Sequence, residues 1–215
     1  MITDSRIPPQ FEAVREEGEE ILWSGTPNFW VFILYGVPFL VFGILWGAMD
    51  YYGFIRPMLS QAPGHVGPPK EMTAFMVPFF ALHLFPFWGA VLNMIRLVLV
   101  YGNTCYAVSN RRLMIRSGFW GTDFKTVDFD KITDMEVNVN PLENLFGVGT
   151  IRAFSGTVSR KGVNMYDKFV GISDPYGVFK KIKKISVDIK TDWNYPNALR
   201  PEENPGYHTG YKNGE

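Results

Sequence analysis

Apolar residues follow two contrasting patterns along the chain. The stretch "FWVFILYGVPFLVFGILWGAM", residues 29–49, holds no Asp, Glu, Lys, Arg or His, and residues 73–95 form a second run without formal charge at neutral pH. About 20 apolar residues, at a rise of about 1.5 Å each, span the hydrocarbon core of a bilayer. Neither run shows the polar face of a helix packed on a soluble core. The pattern predicts two transmembrane helices; because of Pro78 and Pro86, a kinked or re-entrant second segment is the alternative.

The predicted topology follows from the charges beside these runs. Two crossings put both termini on one side, and the basic residues near the membrane are more numerous there than in the connecting loop, residues 50–72. The positive-inside bias therefore predicts cytoplasmic termini. Within the first run, Gly43 and Gly47 have the G-x-x-x-G spacing that lets helix backbones approach closely. This spacing predicts packing against the chain's own second helix, with a dimer contact as the alternative.

From residue 104 onward, apolar and polar residues alternate, with a period of two. Five short alternating stretches lie within residues 104–155, and "KFVGIS", residues 168–173, makes a sixth. The segment "SDPYGVFKKIKKIS" then places Ile182 and Ile185 at helical spacing, and Asp174 precedes it as a candidate cap. The pattern predicts antiparallel strands closed by one amphipathic helix.

A family resemblance extends this interpretation. The combination of "YAVSNRRLMIRSGFW", "ITDMEVNVNPLENLFGVGTIRAFS" and "FVGISDPYGVFKKI" resembles the bacterial pleckstrin-homology-like domain family, whose membrane-anchored members often open with a stretch such as "GEEILWSGTPNFW". The resemblance covers residues 18–187 and implies seven strands in two near-orthogonal antiparallel sheets plus a C-terminal helix. Six strands are placed by pattern, which leaves residues 157–166 for the seventh. The predicted fold is a membrane α-helical hairpin plus an all-β pleckstrin-homology-like domain.

The predicted organisation has six segments. They are an N-terminal cytoplasmic segment (1–28), transmembrane helix 1 (29–49), an outer loop (50–72), transmembrane helix 2 (73–100), the pleckstrin-homology-like domain (101–190) and an extended or disordered tail (191–215). The tail is rich in Pro, Asn and Tyr and has almost no aliphatic side chains, so it cannot form its own core. Trp193, Tyr195 and Tyr207 are its candidate docking anchors.

No motif for catalysis, cofactor binding or metal binding is recognisable. His65, His83 and His208 lie in separate segments, and the single cysteine, Cys105, lies in an alternating stretch that predicts a small buried side chain. We therefore expect no enzyme, no cofactor and no metal. A histidine inside a membrane run is a functional candidate. Because neither run contains a carboxylate partner for His83, no proton path is predicted.

Basic side chains are the candidates for lipid contact. They lie around the first predicted hairpin and on one face of the C-terminal helix, and they are Arg111, Arg112, Arg116, Lys180, Lys181, Lys183 and Lys184. The hairpin loop is too short for a specific inositide site, but each basic residue near an anionic surface contributes on the order of 1 kcal/mol. A solvated helix face is the alternative for the lysines.

Charge and composition complete the functional expectation. The 21 Lys and Arg balance the 21 Asp and Glu, and no basic patch is interleaved with aromatic residues, so nucleic acid is not an expected partner. We expect a membrane-anchored interaction or scaffold module at the inner face of the bacterial cytoplasmic membrane. Its expected partners are membrane lipid and either a protein or a second copy. The alternatives are a peripheral sensor of anionic lipid through a basic face, and a small membrane enzyme or transporter subunit using His83.

Overall fold

The computed structural model describes residues 9–59, 69–158 and 163–194 and divides the chain into two compact units. Met1–Val31 and Val100–Glu215 together form the first, called the β-rich unit below. Phe32–Leu99 form the second, called the helical unit. The chain of the helical unit is thus inserted within the chain of the β-rich unit.

The first sheet of the β-rich unit has four antiparallel strands in the order β1-β2-β3-β4. They are β1 (Ile21–Gly25), β2 (Cys105–Ser109), β3 (Arg112–Ser117) and β4 (Asp123–Asp128). The short turn at 110–111 joins β2 to β3, so these two strands pair directly. By contrast, β1 pairs with β2 across the entire insertion.

The second sheet has three antiparallel strands in the order β5-β6-β7. They are β5 (Asp134–Asn138), β6 (Val148–Val158) and β7 (Asn164–Ser173). A short helix, α7 (Pro141–Leu145), joins β5 to β6 and begins with a capping box in which the side chains of Asn140 and Glu143 each accept the other's backbone N–H. The two sheets bring their apolar faces to a common core.

A C-terminal helix covers that core. It runs over Pro175–Asn194, and the Gly177 N–H donates to Asp174 Oδ1 at 3.1 Å, as expected for a capping Asp. Its buried residues Val178, Ile182 and Ile185 pack with side chains from both sheets. The helix is numbered α8 below.

The structure has the arrangement that the family resemblance implies, with sheets of four and three strands and a C-terminal helix. The seventh strand, however, was predicted in the wrong place. Residues 157–158 and 164–166 are the ends of β6 and β7 and add no strand within the described part of the chain. The additional strand is β1, and Trp23 in it stacks on Phe169 with ring centroids 5.9 Å apart. The local pattern missed β1 because its partner strand lies far away in the sequence.

A second small core lies on the other face of the first sheet. The short helix α1 (Pro9–Glu12) buries Phe11, whose ring meets Phe124 edge-on at 5.7 Å. The side chain of Cys105 is buried in the same cluster, which confirms the predicted small hydrophobe. The residues before β1 therefore help to complete the β-rich unit.

The helical unit differs from two uninterrupted rods. The first predicted run divides into α2 (Phe29–Leu34) and α3 (Val37–Asp50), and a π-helical turn at Tyr51–Ile55 leads into α4 (Arg56–Leu59). The continuous helical stretch Val37–Leu59 is long and apolar enough to cross a membrane, judged by length and composition. This stretch ends well beyond the predicted boundary at residue 49.

The second predicted run is interrupted at Leu84. One helix, α5, covers Lys70–His83, and the next, α6, covers Phe85–Asn103. By length and composition α6 can cross a membrane, whereas the apolar part of α5, Ala74–His83, is shorter. The break precedes Pro86, which lies in the first turn of α6, where a missing N–H costs no hydrogen bond.

Candidate functional site

The arginine at the start of β3 is held by the acidic N-terminal segment. Arg112 Nη2 lies 2.8 Å from Glu19 Oε2, and Arg112 Nη1 lies 3.0 Å from Glu16 Oε1. The Arg112 side chain is only 14% exposed, and that of Glu19 is fully buried. This predicted lipid contact therefore has a structural role, tying the segment before β1 to β3.

Several donors converge on Glu19. The Ser109 hydroxyl donates to Oε1 at 2.6 Å, and the Glu16 backbone N–H donates to Oε2 at 2.9 Å. Burial acts to raise the pKa of Glu19, but hydrogen bonds from Arg112, Glu16 and Ser109, with the Arg112 charge, outweigh it and lower the pKa below its ordinary value. The folded state thus favours the ionised carboxylate.

This lowered pKa predicts acid sensitivity. The unfolded chain binds the Glu19 proton more readily than the folded one, so the stabilisation is complete above the ordinary value of 4.5 and is lost as pH falls through the lower folded pKa. We expect Glu19→Gln to flatten the fall in unfolding midpoint between about pH 5 and about pH 2. Urea titrations of the full-length protein would measure it. Glu12→Gln, at an exposed carboxylate, is the control, and an equal slope in both variants would contradict the assignment.

The other two arginines of the hairpin have different surroundings. Arg111 Nη1 lies 3.2 Å from Glu16 Oε2, and both side chains are about half exposed. Arg116 Nη2 donates to the Thr122 hydroxyl at 3.5 Å. The structure thus places the three arginines on one hairpin but pairs two of them with carboxylates, and their contact with lipid stays a prediction.

The predicted lysine face of α8 divides into two parts. Lys181 Nζ donates to the Leu22 carbonyl at 2.9 Å and so fastens the helix to β1. Lys183 lies over the Phe179 ring at 5.8 Å from its centroid, while Lys180 and Lys184 are exposed. Three of the four lysines are therefore exposed, which is consistent with either predicted role.

The remaining predicted residues lie in the tail and in the helical unit. Trp193 belongs to the last turn of α8, which extends past the predicted boundary at 190, whereas Tyr195 and Tyr207 lie outside the described residues. A Cβ on Gly43 would lie 2.7 Å from Ala90 Cβ, and one on Gly47 would lie 3.4 Å from the Phe87 ring. Both glycines therefore face α6 of the same chain at close range.

Sequence analysis missed a carboxylate in the helical unit. Asp50 is fully buried, neither of its oxygens accepts a hydrogen bond from a described residue, and Oδ1 lies 3.5 Å from His83 Nε2. The Trp46 indole N–H donates to the His83 carbonyl at 3.0 Å, and the Phe79 ring stacks on the imidazole. The expectation that His83 has no carboxylate partner was wrong because the first run was ended at residue 49, although the helix continues through Asp50. Within the described ranges, no group of three or more His, Cys, Asp or Glu side chains is placed to hold a metal ion.

A groove lies between the edge of the second sheet and α8. It encloses about 220 Å³ and is lined by residues 132–135 on the strand side and by Lys183, Ser186, Val187 and Lys190 on the helix side. Among the described residues, β5 has a strand neighbour, β6, on one side alone. Lys190 Nζ donates to the Ile132 carbonyl and so joins α8 to the segment just before β5.

This groove suits an extended polypeptide. An edge strand offers backbone N–H and C=O groups to an added strand, and an adjacent groove can take its side chains. Val187 is 44% exposed, while Lys183 and Lys190 supply positive charge. Sequence patterns could not reveal the groove, because it forms only when the edge of one sheet meets a helix that follows two strands later.

Comparison with known proteins gives one informative match. The profile of the family described as "Bacterial PH domain" matches residues 29–173. None of the curated proteins matches the chain in sequence. Among solved structures, a DUF1696 family protein with a pleckstrin-homology domain from Shewanella loihica aligns at 16% identity over 39% of this chain and 71% of its own, with a TM-score of 0.29.

Proposed function

Because the chain belongs to the bacterial PH domain family, we propose that it is a membrane-anchored interaction module without catalytic activity. In this proposal the helical unit crosses the bacterial cytoplasmic membrane twice and the β-rich unit lies at its inner face. The β-rich unit binds an extended segment of a partner protein. The groove between β5 and α8 is the binding site.

Anchoring is supported by the two long apolar helical stretches, Val37–Leu59 and Phe85–Asn103. They expose many large apolar side chains, among them Leu45 and Leu92, each 64% exposed. Exposed apolar area on this scale is unfavourable in water and favourable in hydrocarbon. Both connections of the helical unit lead to strands of the first sheet, which supports the proposed topology with both termini on one side of the membrane.

The observation that carries the binding proposal is the open edge of β5 beside an apolar and basic helix wall. Backbone pairing along β5 would supply affinity, while Val187 and the two lysines would select an extended segment with apolar and acidic side chains. In the part of the chain that the structure describes, β5 has no strand neighbour on the side away from β6. The proposed partner is therefore a protein strand.

A peptide-selection experiment tests this proposal. Random peptides would be selected on the full-length protein in lipid nanodiscs, and their affinities would be compared for the wild type, Val187→Glu and Val158→Glu. Val158 lies at the end of β6, outside the groove, with a similar exposed fraction of 51%. We expect Val187→Glu to weaken binding about tenfold because it buries a charge opposite the peptide.

Hydrogen exchange supplies an independent readout. Bound peptide should slow exchange of the β5 amides, residues 134–138, because an added strand pairs with them. Equal affinity for both valine variants, or exchange that slows elsewhere while β5 stays unchanged, would contradict the groove as the binding site.

A further inference from the structure

We infer that the β-rich unit also docks on the lipid surface itself, through the exposed apolar side chains of Trp120 and Leu145, which lie on segments linked by hydrogen bonds to its two connections to the helical unit. This inference rests on the proposed membrane anchoring. It adds a second contact between the protein and the bilayer, made by loops of the β-rich unit instead of by the spanning helices. The partner is the headgroup–acyl boundary of one leaflet.

The first contact is the turn between β3 and β4. Trp120 is 92% exposed and Phe119 is 44% exposed, although both are large apolar residues on a tight turn. Gly118 has φ +148, and the Gly121 carbonyl lies too close to admit a side chain there, so this backbone path requires glycine at position 118. Aromatic rings with a polar edge concentrate at membrane–water interfaces, where Trp120 would bury its ring and keep its N–H hydrated.

A hydrogen bond fixes where this turn lies. The Asn103 side-chain amide donates to the Gly118 carbonyl at 3.1 Å. Asn103 is the last residue of α6, which is one of the two candidate spans. The turn is therefore held at the C-terminal end of this candidate span, which the proposed anchoring places near the membrane–water interface that tryptophan favours.

The other connection carries a similar apolar side chain. The Asn28 N–H, just before α2, donates to the Gly171 carbonyl at 2.8 Å. The Gly171 N–H donates to the Thr150 hydroxyl, which donates in turn to Glu143 of α7. Leu145, the last residue of that short helix, is 79% exposed. Each connection to the helical unit is thus linked by hydrogen bonds to a segment that carries an exposed apolar residue.

Lipid is favoured over a protein partner by this placement. If the end of α6 lies in the headgroup layer, as the proposed anchoring requires, a protein reaching Trp120 would have to enter that layer, whereas lipid is already there. The β6 and β7 ends provide a contrast, because Val158 and Met165 are also exposed but lie at the opposite ends of their strands from Gly149 and Gly171. These two positions should remain in water.

Site-directed thiol labelling in lipid nanodiscs tests the inference. Gly121→Cys reports on the turn while keeping Trp120, since a Cβ there meets nothing within 4 Å. Met165→Cys, at a 53% exposed position, is the control. The native Cys105 contributes little background, because it is buried and burial raises the pKa of its thiol. The full-length protein would be placed in zwitterionic nanodiscs, which leave both faces open to a charged maleimide.

We expect the thiol at residue 121 to react severalfold more slowly than that at residue 165. Adding Trp120→Ser to Gly121→Cys should restore fast reaction, because the turn would lose its anchor. Equal rates at the two positions in protein that stays with the nanodiscs would overturn the inference and leave membrane anchoring intact. A protein that leaves the nanodiscs for plain buffer would overturn both.

Discussion

Replacing Arg112 with alanine should destabilise the β-rich unit by about 3–5 kcal/mol, because the buried Glu19 carboxylate would lose its charged partner. Arg112 also donates to the Val14 carbonyl, so the segment before β1 would lose a second contact. Urea unfolding of the full-length protein in mild detergent, followed by the far-ultraviolet signal of the sheets, would measure the change. Amide exchange in β1 should rise with it.

The neighbouring arginine is the matched control. Arg111 pairs with Glu16, where both side chains are about half exposed, so Arg111→Ala should cost less than about 1 kcal/mol. If both arginine variants lost a similarly small amount of unfolding free energy, Glu19 would be hydrated in solution. The N-terminal segment would then be held by other contacts.

Removing the His83 imidazole from the helical unit should cause the second large loss of stability. His83→Ala would leave the buried Asp50 carboxyl without the imidazole that lies 3.5 Å away, and an unpartnered buried polar group costs about 1–3 kcal/mol. Asp50→Asn should lower stability much less, since it removes the carboxyl group itself. Thermal unfolding of the protein in mild detergent would rank these variants.

The double variant separates the carboxyl–imidazole contact from simple packing. Asp50→Asn combined with His83→Ala should recover most of the stability lost in His83→Ala alone, because the carboxyl that lost its partner is then absent. Asn93→Ala, which removes an exposed side-chain bond to Arg96, serves as a control for general perturbation of α6. A double variant as unstable as His83→Ala would mean that the imidazole acts through its contacts with Trp46 and Phe79.

Local patterns predicted the elements whose determinants are local. The 3.6-residue spacing of Ile182 and Ile185 and the cap at Asp174 located α8, and alternation located six strands. The alternation of apolar and polar residues in β1 is too short to stand out. Its partner strand, β2, is separated from it in the sequence by residues 26–104. Its position therefore required the tertiary structure.

The candidate site was less predictable for the same reason. The ion pair between Arg112 and Glu19 joins residues that are 93 positions apart in the sequence. Sequence analysis therefore counted Arg112 among the basic side chains available to lipid. Asp50 was overlooked because composition alone set the end of the first run. The groove beside β5 depends on which strand lies at the sheet edge, and no local spacing encodes that.

The insertion of the helical unit between β1 and β2 has a consequence for biogenesis. Ile21–Gly25 leaves the ribosome first, yet it cannot pair until Cys105–Ser109 has been synthesised. On the proposed topology, the translocon handles the intervening helices during that interval. The first sheet can therefore close only after the helices have been inserted into the membrane and the nascent chain has returned to the cytosol. A chain stalled before that point exposes an unpaired strand to proteases.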